Sequence, residues 1–227
     1  MRAQVLVLAK EPLPGRAKTR LTPPLAPEQA AAVARAALLD TLSAVADVPV
    51  TRRTVVLEGS GDGWLPAGFQ VLPQRGDGLH QRLDAAFCDA WATLPVPMLL
   101  VGMDTPQVTS TLLRGALDAL LAPGTDAVLG HAEDGGWWAL GLHQPAPGLF
   151  DAVPMSTDRA GSVQRERLDA HGLETTTLAP MRDIDHVEDV AAVAALQHPG
   201  ARLARVAAAL GLHAAPLAGH RCLGGAA

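Results

Sequence analysis

Residues 10–21 read KEPLPGRAKTRL and bring four cations, Lys10, Arg16, Lys18 and Arg20, into one short stretch. They alternate with rigid or small residues: Pro12, Pro14, Gly15 and Ala17. Prolines restrict such a loop, and Gly15 lets its backbone approach a ligand closely. A loop of this kind can wrap a di- or triphosphate with charged side chains and backbone N–H groups. It is not a Walker loop, because the glycines that motif requires fall at Pro12 and Ala17. The competing reading is a solvated basic loop. Its place directly after an apolar run, residues 5–9, in a chain of formal net charge -5, favours a ligand.

Two acidic clusters suit a metal that holds phosphates. Asp104 follows the apolar MLLVGM, and a carboxylate leaving a buried strand must be solvated, cap a helix or meet a cation. Asp183 and Asp185 are spaced by one residue, so in an extended segment both carboxylates point the same way. Hard oxygen ligands in this arrangement suit Mg²⁺ or Mn²⁺. The alternative for each is a helix N-cap. A further turn, Glu133-Asp134-Gly135-Gly136, runs into Trp137 and Trp138. Adjacent residues of a strand face opposite ways. One indole therefore enters the core, and the other can wall a bound sugar or base. Trp138 is assigned to the substrate side, with the alternative that both indoles are core.

The elements that must position these groups alternate. Consecutive apolar positions, instead of alternating ones, mark buried strands at residues 5–9, 53–57 and 96–103, with a short one at 69–72. Residues 127–130, the stretch after the Gly-Gly turn, and 175–178 continue the series. Helical spacing covers 27–46, 78–94, 109–121, 159–171 and 187–196. Strands and helices in this order imply one α/β domain, three-layered around a mostly parallel sheet, over residues 1–198. Residues 199–227 read as a C-terminal helix and a loose tail. In open parallel sheets ligands bind at the carboxyl ends of the strands, where the basic loop, Asp104 and the Asp183/Asp185 pair fall.

Composition bounds the partners. Hydrophobic residues make up 48% of the chain, enough for a large core, so one α/β domain is expected. The mild acidity argues against nucleic acid, and no apolar run reaches the ~20 residues that cross a bilayer. Cys88 and Cys222 show no disulfide or zinc spacing, and the histidines fit no metal pattern. Met1 leads into a strand without a charged-then-apolar leader, so a cytoplasmic protein is expected.

In order, KEPLPGRAKTRL, VLPQRGDGLHQRLDAAF, LLVGMDTP, AVLGHAEDGGWWALGL, MST and DIDHVEDV resemble a bacterial family labelled radical-SAM/selenodomain-associated transferase. It is also called arsenosugar-cluster glycosyltransferase, and it belongs to the GT-A, or nucleotide-diphospho-sugar transferase, superfamily. The AKTRL and D-x-P patterns are more distantly similar to the 2-phospholactate guanylyltransferases. The resemblance spans residues 4–190 and implies a GT-A-like fold. It implies that Lys10, Lys18 and Arg20 serve the nucleotide phosphates. It places Asp104, Asp183 and Asp185 at the metal, Gln74, Asp77 and Gly78 on the nucleotide side, and Glu133 to Gly136 toward substrate. The family usually carries Cys at Thr105 and tyrosines at Trp137 and Trp138, which bears on substrate identity more than on chemistry.

Three functions fit. The first is a nucleotidyltransferase that joins an NTP to a small phosphorylated or acidic acceptor and releases pyrophosphate, with Lys18, Arg20 and Asp104 catalytic. The second is a glycosyltransferase with an NDP-sugar donor. The third is a non-catalytic nucleotide-binding module. Four cations suit a triphosphate better than a diphosphate already neutralised by metal, which favours the first.

Overall fold

The computed structural model describes residues 1–213. The expected loose tail beyond them, with Cys222, lies outside the described residues. The strands are β1 (Gln4–Lys10), β2 (Arg52–Glu58), β3 (Gln70–Pro73), β4 (Met98–Gly102), β5 (Ala127–Ala132), β6 (Trp137–Leu142) and β7 (Thr175–Met181). The helices are α1 (Pro27–Ala46), α2 (Leu79–Thr93), α3 (Ser110–Leu120), α4 (Ala160–Ala170), α5 (Val187–Ala195) and α6 (Arg202–Ala209).

All seven strands form one sheet, ordered β3-β2-β1-β4-β6-β5-β7. Only β6 runs antiparallel, between β4 and β5. The expected single α/β domain with a mostly parallel sheet is what the chain forms. The consecutive apolar residues of β1 and β4 are explained by helices on both sides. Val5, Val7, Leu99 and Val101 pack under α1 and α3, whereas Leu6, Met98 and Leu100 pack under α2 and α4. A third cluster lies on the outer side of α1 and joins it to α5 and α6. There the backbone N–H groups of Arg202 and Leu203 donate to the largely buried Asp40 carboxylate, at 3.1 and 2.9 Å. Among the described residues, no helix is long and apolar enough to cross a membrane.

The tryptophan pair needs a correction. Simple alternation places Trp138 with Leu140 on the α2 side of the sheet. In the structure the register shifts: Gly130 faces Ala139, but His131 faces Trp137, leaving Trp138 as an extra, bulged residue. The bulge exchanges the two faces. Trp138 turns into the core under α1 and α3, is 4% exposed, and donates Nε1–H to the Ala179 carbonyl at 3.1 Å. Its indole lies across Gly130, where a Cβ would collide with it. Trp137 takes the α2 side, tilted on Phe150 with ring centroids 6.5 Å apart.

Candidate active site

After β1 the basic loop is held to the fold by its apolar members. Ala17 is buried against the α1 side of the sheet, and Leu21 in the α1–α5–α6 cluster. With these two turned inward, Arg16, Lys18 and Arg20 line a cavity at the carboxyl edge of the sheet. Gly15 makes the preceding turn at φ 71° and lies off the cavity wall. Lys18 itself takes the left-handed conformation (φ 51°, ψ 43°), uncommon for a residue with a Cβ. Its ammonium is 2.9 Å from Asp104 Oδ2 and 3.3 Å from Asp185 Oδ1, and also donates to the Ile184 carbonyl. Burial alone would lower its pKa; the Asp104 and Asp185 carboxylates outweigh that and raise it. Arg20 donates to Asp185 Oδ2 at 2.5 Å. Lys10 pairs instead with Glu58 at the end of β2, at 3.4 Å, and Arg82 pairs with the same carboxylate.

The carboxylates arrive from three separate connections. Ile184, fully buried, donates its N–H to the Asp104 carbonyl at 3.1 Å and ties the segment after β7 to the end of β4. With Ile184 inside, Asp183 and Asp185 both face the cavity, as their spacing predicts. Neither acidic site is a helix cap. Thr109 caps α3, its hydroxyl accepting from Leu112 N–H at 3.2 Å. His186 is the N-cap of α5, and Asp189 reaches back to the N–H groups of Asp185 and His186.

The grouping differs from the expected one in one member. Asp134, from the β5–β6 turn, joins Asp183 and Asp185, and one oxygen of each lies within 4.8 Å of the others. Asp104 stands outside this triad, across Lys18. Its second oxygen, Oδ1, is buried with no hydrogen-bond partner among the described residues. Three clustered carboxylates and an unpartnered acceptor beside them are a donor set that fits a hard divalent cation. Burial, then the charges of Asp134 and Asp185, push the Asp183 carboxyl up to about 6.

The turn holding Asp134 depends on Gly135. Its φ is 91°, and a Cβ there would run into the Asp158 carbonyl. The Gly135 carbonyl also accepts from Gly161 N–H at 2.8 Å, which seats the turn on the start of α4. Gly135→Ala is therefore expected to displace Asp134 and abolish any stabilisation by Mg²⁺, read as the shift in melting temperature with and without the ion. An unchanged Mg²⁺ shift would remove Asp134 from the cation site.

The cavity measures about 590 Å³. Besides the groups above it is lined by Gln74, Gly78, Gly136 and, in place of Trp138, by Trp137. Gln74 is partly committed to the fold, because its side-chain amide donates to Ala9 and Val56 carbonyls at 2.8 and 3.1 Å. Asp77, Glu133, Gly135 and Trp138 are not on the wall. Sequence reasoning missed Leu79, Arg82 and Leu83, which line it from α2, and Met155 and Ser156 from the segment before α4. The α2 residues carried a usable signal: i, i+3 and i+4 spacing from a helix start already placed at the site. The 155–156 segment belongs to the MST stretch of the family resemblance, to which no role was attached.

Residues 41–157 match the family DUF2064, described as "Uncharacterized protein conserved in bacteria". No curated protein matches the chain in sequence. A crystal structure from Desulfovibrio desulfuricans, of a protein provisionally named a nucleotide-diphospho-sugar transferase, is similar at TM-score 0.82 and 26% identity. The similarity covers 92% of this chain and 97% of that one. A cytidylyltransferase from Leptospira borgpetersenii serovar Hardjo-bovis is similar at TM-score 0.52 and 12% identity, over 96% and 99% of the two chains. The CMP:2-keto-3-deoxy-manno-octonic acid synthetase complexed with CTP is similar at TM-score 0.52 and 14% identity, over 82% and 94%. At such identities the last two speak for the fold alone. The fold is that of nucleotide-diphospho-sugar transferases and cytidylyltransferases.

Proposed function

The chain belongs to the DUF2064 family of bacterial proteins, and from that premise we propose that it is a divalent-metal-dependent transferase acting on a nucleotide-activated small molecule. One observation carries this reading: the cationic loop and the carboxylates touch each other within one cavity, at the sheet edge where α/β folds bind ligands. Phosphates enter a site of that composition by exchanging partners with it.

We favour nucleotidyl transfer. A Mg²⁺ or Mn²⁺ held by Asp134, Asp183 and Asp185 would supply positive charge to the oxygens of a triphosphate. With Asp185 engaged there, Arg20 would be free to donate to phosphate oxygens, and Lys18 would do so while keeping Asp104 as its carboxylate partner. Arg16, which has no ion-pair partner among the described residues, adds a further donor at the rim. Lys18, anchored by Asp104, would then meet the charge that builds up as pyrophosphate leaves. The cavity walls would hold the acceptor oxygen in line with that leaving group. Gln74 and Gly78 border the end of the cavity left for the base, as the family resemblance implies. Incubation with Mg²⁺, each of the four NTPs and a pool of small acceptors should release pyrophosphate.

Glycosyl transfer from an NDP-sugar is the second reading, favoured by Trp137 on the cavity wall and by the name of the Desulfovibrio protein. NDP release from NDP-sugars, with no pyrophosphate from any NTP, would replace the first reading by this one.

A further inference from the structure

The sheet order divides the cavity lengthwise. The basic loop after β1, with Asp104, Asp183 and Asp185, sits over its centre. Toward β2 and β3 the lining is Gln74, Gly78, Leu79 and Arg82. Toward β6 and the start of α4 it is Gly136, Trp137, Met155, Ser156 and Ala160. The two ends differ in charge. Among the described residues, every cation on the wall comes from the basic loop or from Arg82 on α2. At the β6 end, among the described residues, the one charged lining group is the carboxylate of Asp134.

The β6 end is also apolar and firmly backed. Trp137 rests on Phe150, which stacks on Phe87 with centroids 5.8 Å apart, and Met155 packs against the same buried cluster. The indole face is therefore a fixed wall. Ser156 beside it holds an uncommon left-handed backbone, φ 63°, and offers one hydroxyl. An anionic acceptor at this end would lie beside the Asp134 carboxylate, and no cationic side chain among Gly136, Trp137, Met155, Ser156 and Ala160 is there to hold it. A neutral ring with an apolar face gains the indole contact and brings no charge.

We propose that the β6 end is the acceptor subsite, and that it takes an uncharged, hydroxyl-bearing molecule with one apolar face: a carbohydrate ring or a cyclic alcohol. This narrows the acceptor away from the phosphorylated or acidic molecule expected from the sequence. It rests on the transferase reading above, and it holds for either donor, since a hydroxyl can attack phosphorus or an anomeric carbon.

The test uses two probes that share a quenching ring, p-nitrophenyl β-D-glucoside and p-nitrophenyl phosphate, titrated against tryptophan emission. Wild type, Trp137→Ala and Met155→Lys are compared with Mg²⁺ and each of the four NTPs in turn, CTP included. The glucoside is also titrated into nucleotide-free protein. With nucleotide bound, the glucoside is expected to bind wild type at least tenfold more tightly than the phosphate. Trp137→Ala should weaken the glucoside at least tenfold while leaving the nucleotide affinity unchanged. Because that variant loses contact with Phe150 and can lose stability, Met155→Lys provides a gain: its added cation should tighten the phosphate probe at least tenfold. Equal binding of both probes to wild type, no glucoside binding, or a glucoside affinity and probe preference unmoved by either variant would each overturn the proposal. Failure of every nucleotide to bind would overturn the parent transferase reading alone, because the nucleotide-free titration still reports on the subsite.

Discussion

Lys18→Ala is expected to lose nucleotide affinity by about ten- to a hundredfold, the worth of one charge-assisted contact, and to lower the melting temperature of the metal-free protein as well. The second effect follows from burial. The Lys18 side chain is only 9% exposed and stands between Asp104 and Asp185, so its removal leaves Asp104 without a cation and Asp185 with Arg20 alone. Breaking a buried pair costs ~3–5 kcal/mol. The partners are partly exposed here, so ~2 kcal/mol is a fairer figure. For a chain of this size that is roughly 4–8 °C. The raised lysine pKa fixes the pH range: its stabilisation is complete below the ordinary lysine pKa and is lost only as pH rises through the still higher folded value. Measurements near neutral pH therefore see all of it. Mg²⁺ should recover more of the melting temperature in Lys18→Ala than it adds to wild type, because a divalent ion replaces the missing charge. Arg20→Ala separates the two effects. Its side chain is 54% exposed, so it should weaken nucleotide binding with little change in stability. A Lys18→Ala protein that melts and binds nucleotide like wild type would end the phosphate-loop assignment.

The parts of this site legible in the sequence are those set by local periodicity. Consecutive apolar residues marked β1, β2 and β4 as buried strands, and their carboxyl ends located the basic loop and Asp104. The one-residue spacing of Asp183 and Asp185 put both on the cavity side because Ile184 was bound to turn inward. What could not be read depends on how one strand meets another. A bulge opposite Gly130 and His131 reverses the roles of Trp137 and Trp138, and nothing in WWALGL announces it. The Asp-Gly-Gly turn was visible as a turn. Its placement of Asp134 beside Asp183 comes from the seat that α4 provides at Gly161, a contact between segments distant in sequence. The excess of cations in the loop likewise took on a different meaning. Lys10, Lys18 and Arg20 each have an acidic partner, so their availability to phosphate is governed by competition with carboxylates and not by their number.

That competition makes Asp183→Asn the variant with the most distinctive expected result: it should stabilise the metal-free protein at neutral pH while abolishing its response to Mg²⁺. Burial and the neighbouring Asp134 and Asp185 raise the Asp183 pKa from 3.8 to about 6. A carboxyl whose folded pKa exceeds its unfolded one destabilises the fold when ionised. The cost is absent below 3.8, grows as pH rises toward about 6, and is complete above it. Metal-free wild type should therefore lose stability from this group between pH 4 and pH 6, and the neutral amide should not. Mg²⁺ reverses the order, since bound cation needs the ionised carboxylate. Its affinity for wild type should fall about tenfold per pH unit once pH drops below the Asp183 value. Thermal denaturation of both proteins from pH 4 to pH 8, with and without saturating Mg²⁺, reads all of this in one experiment. A variant less stable than wild type without Mg²⁺ at pH 7.5 would mean that Asp183 serves the fold through hydrogen bonds that an amide cannot make. A variant stabilised by Mg²⁺ as much as wild type would move the cation away from the Asp134–Asp183–Asp185 triad, toward Asp104 and its unpartnered oxygen.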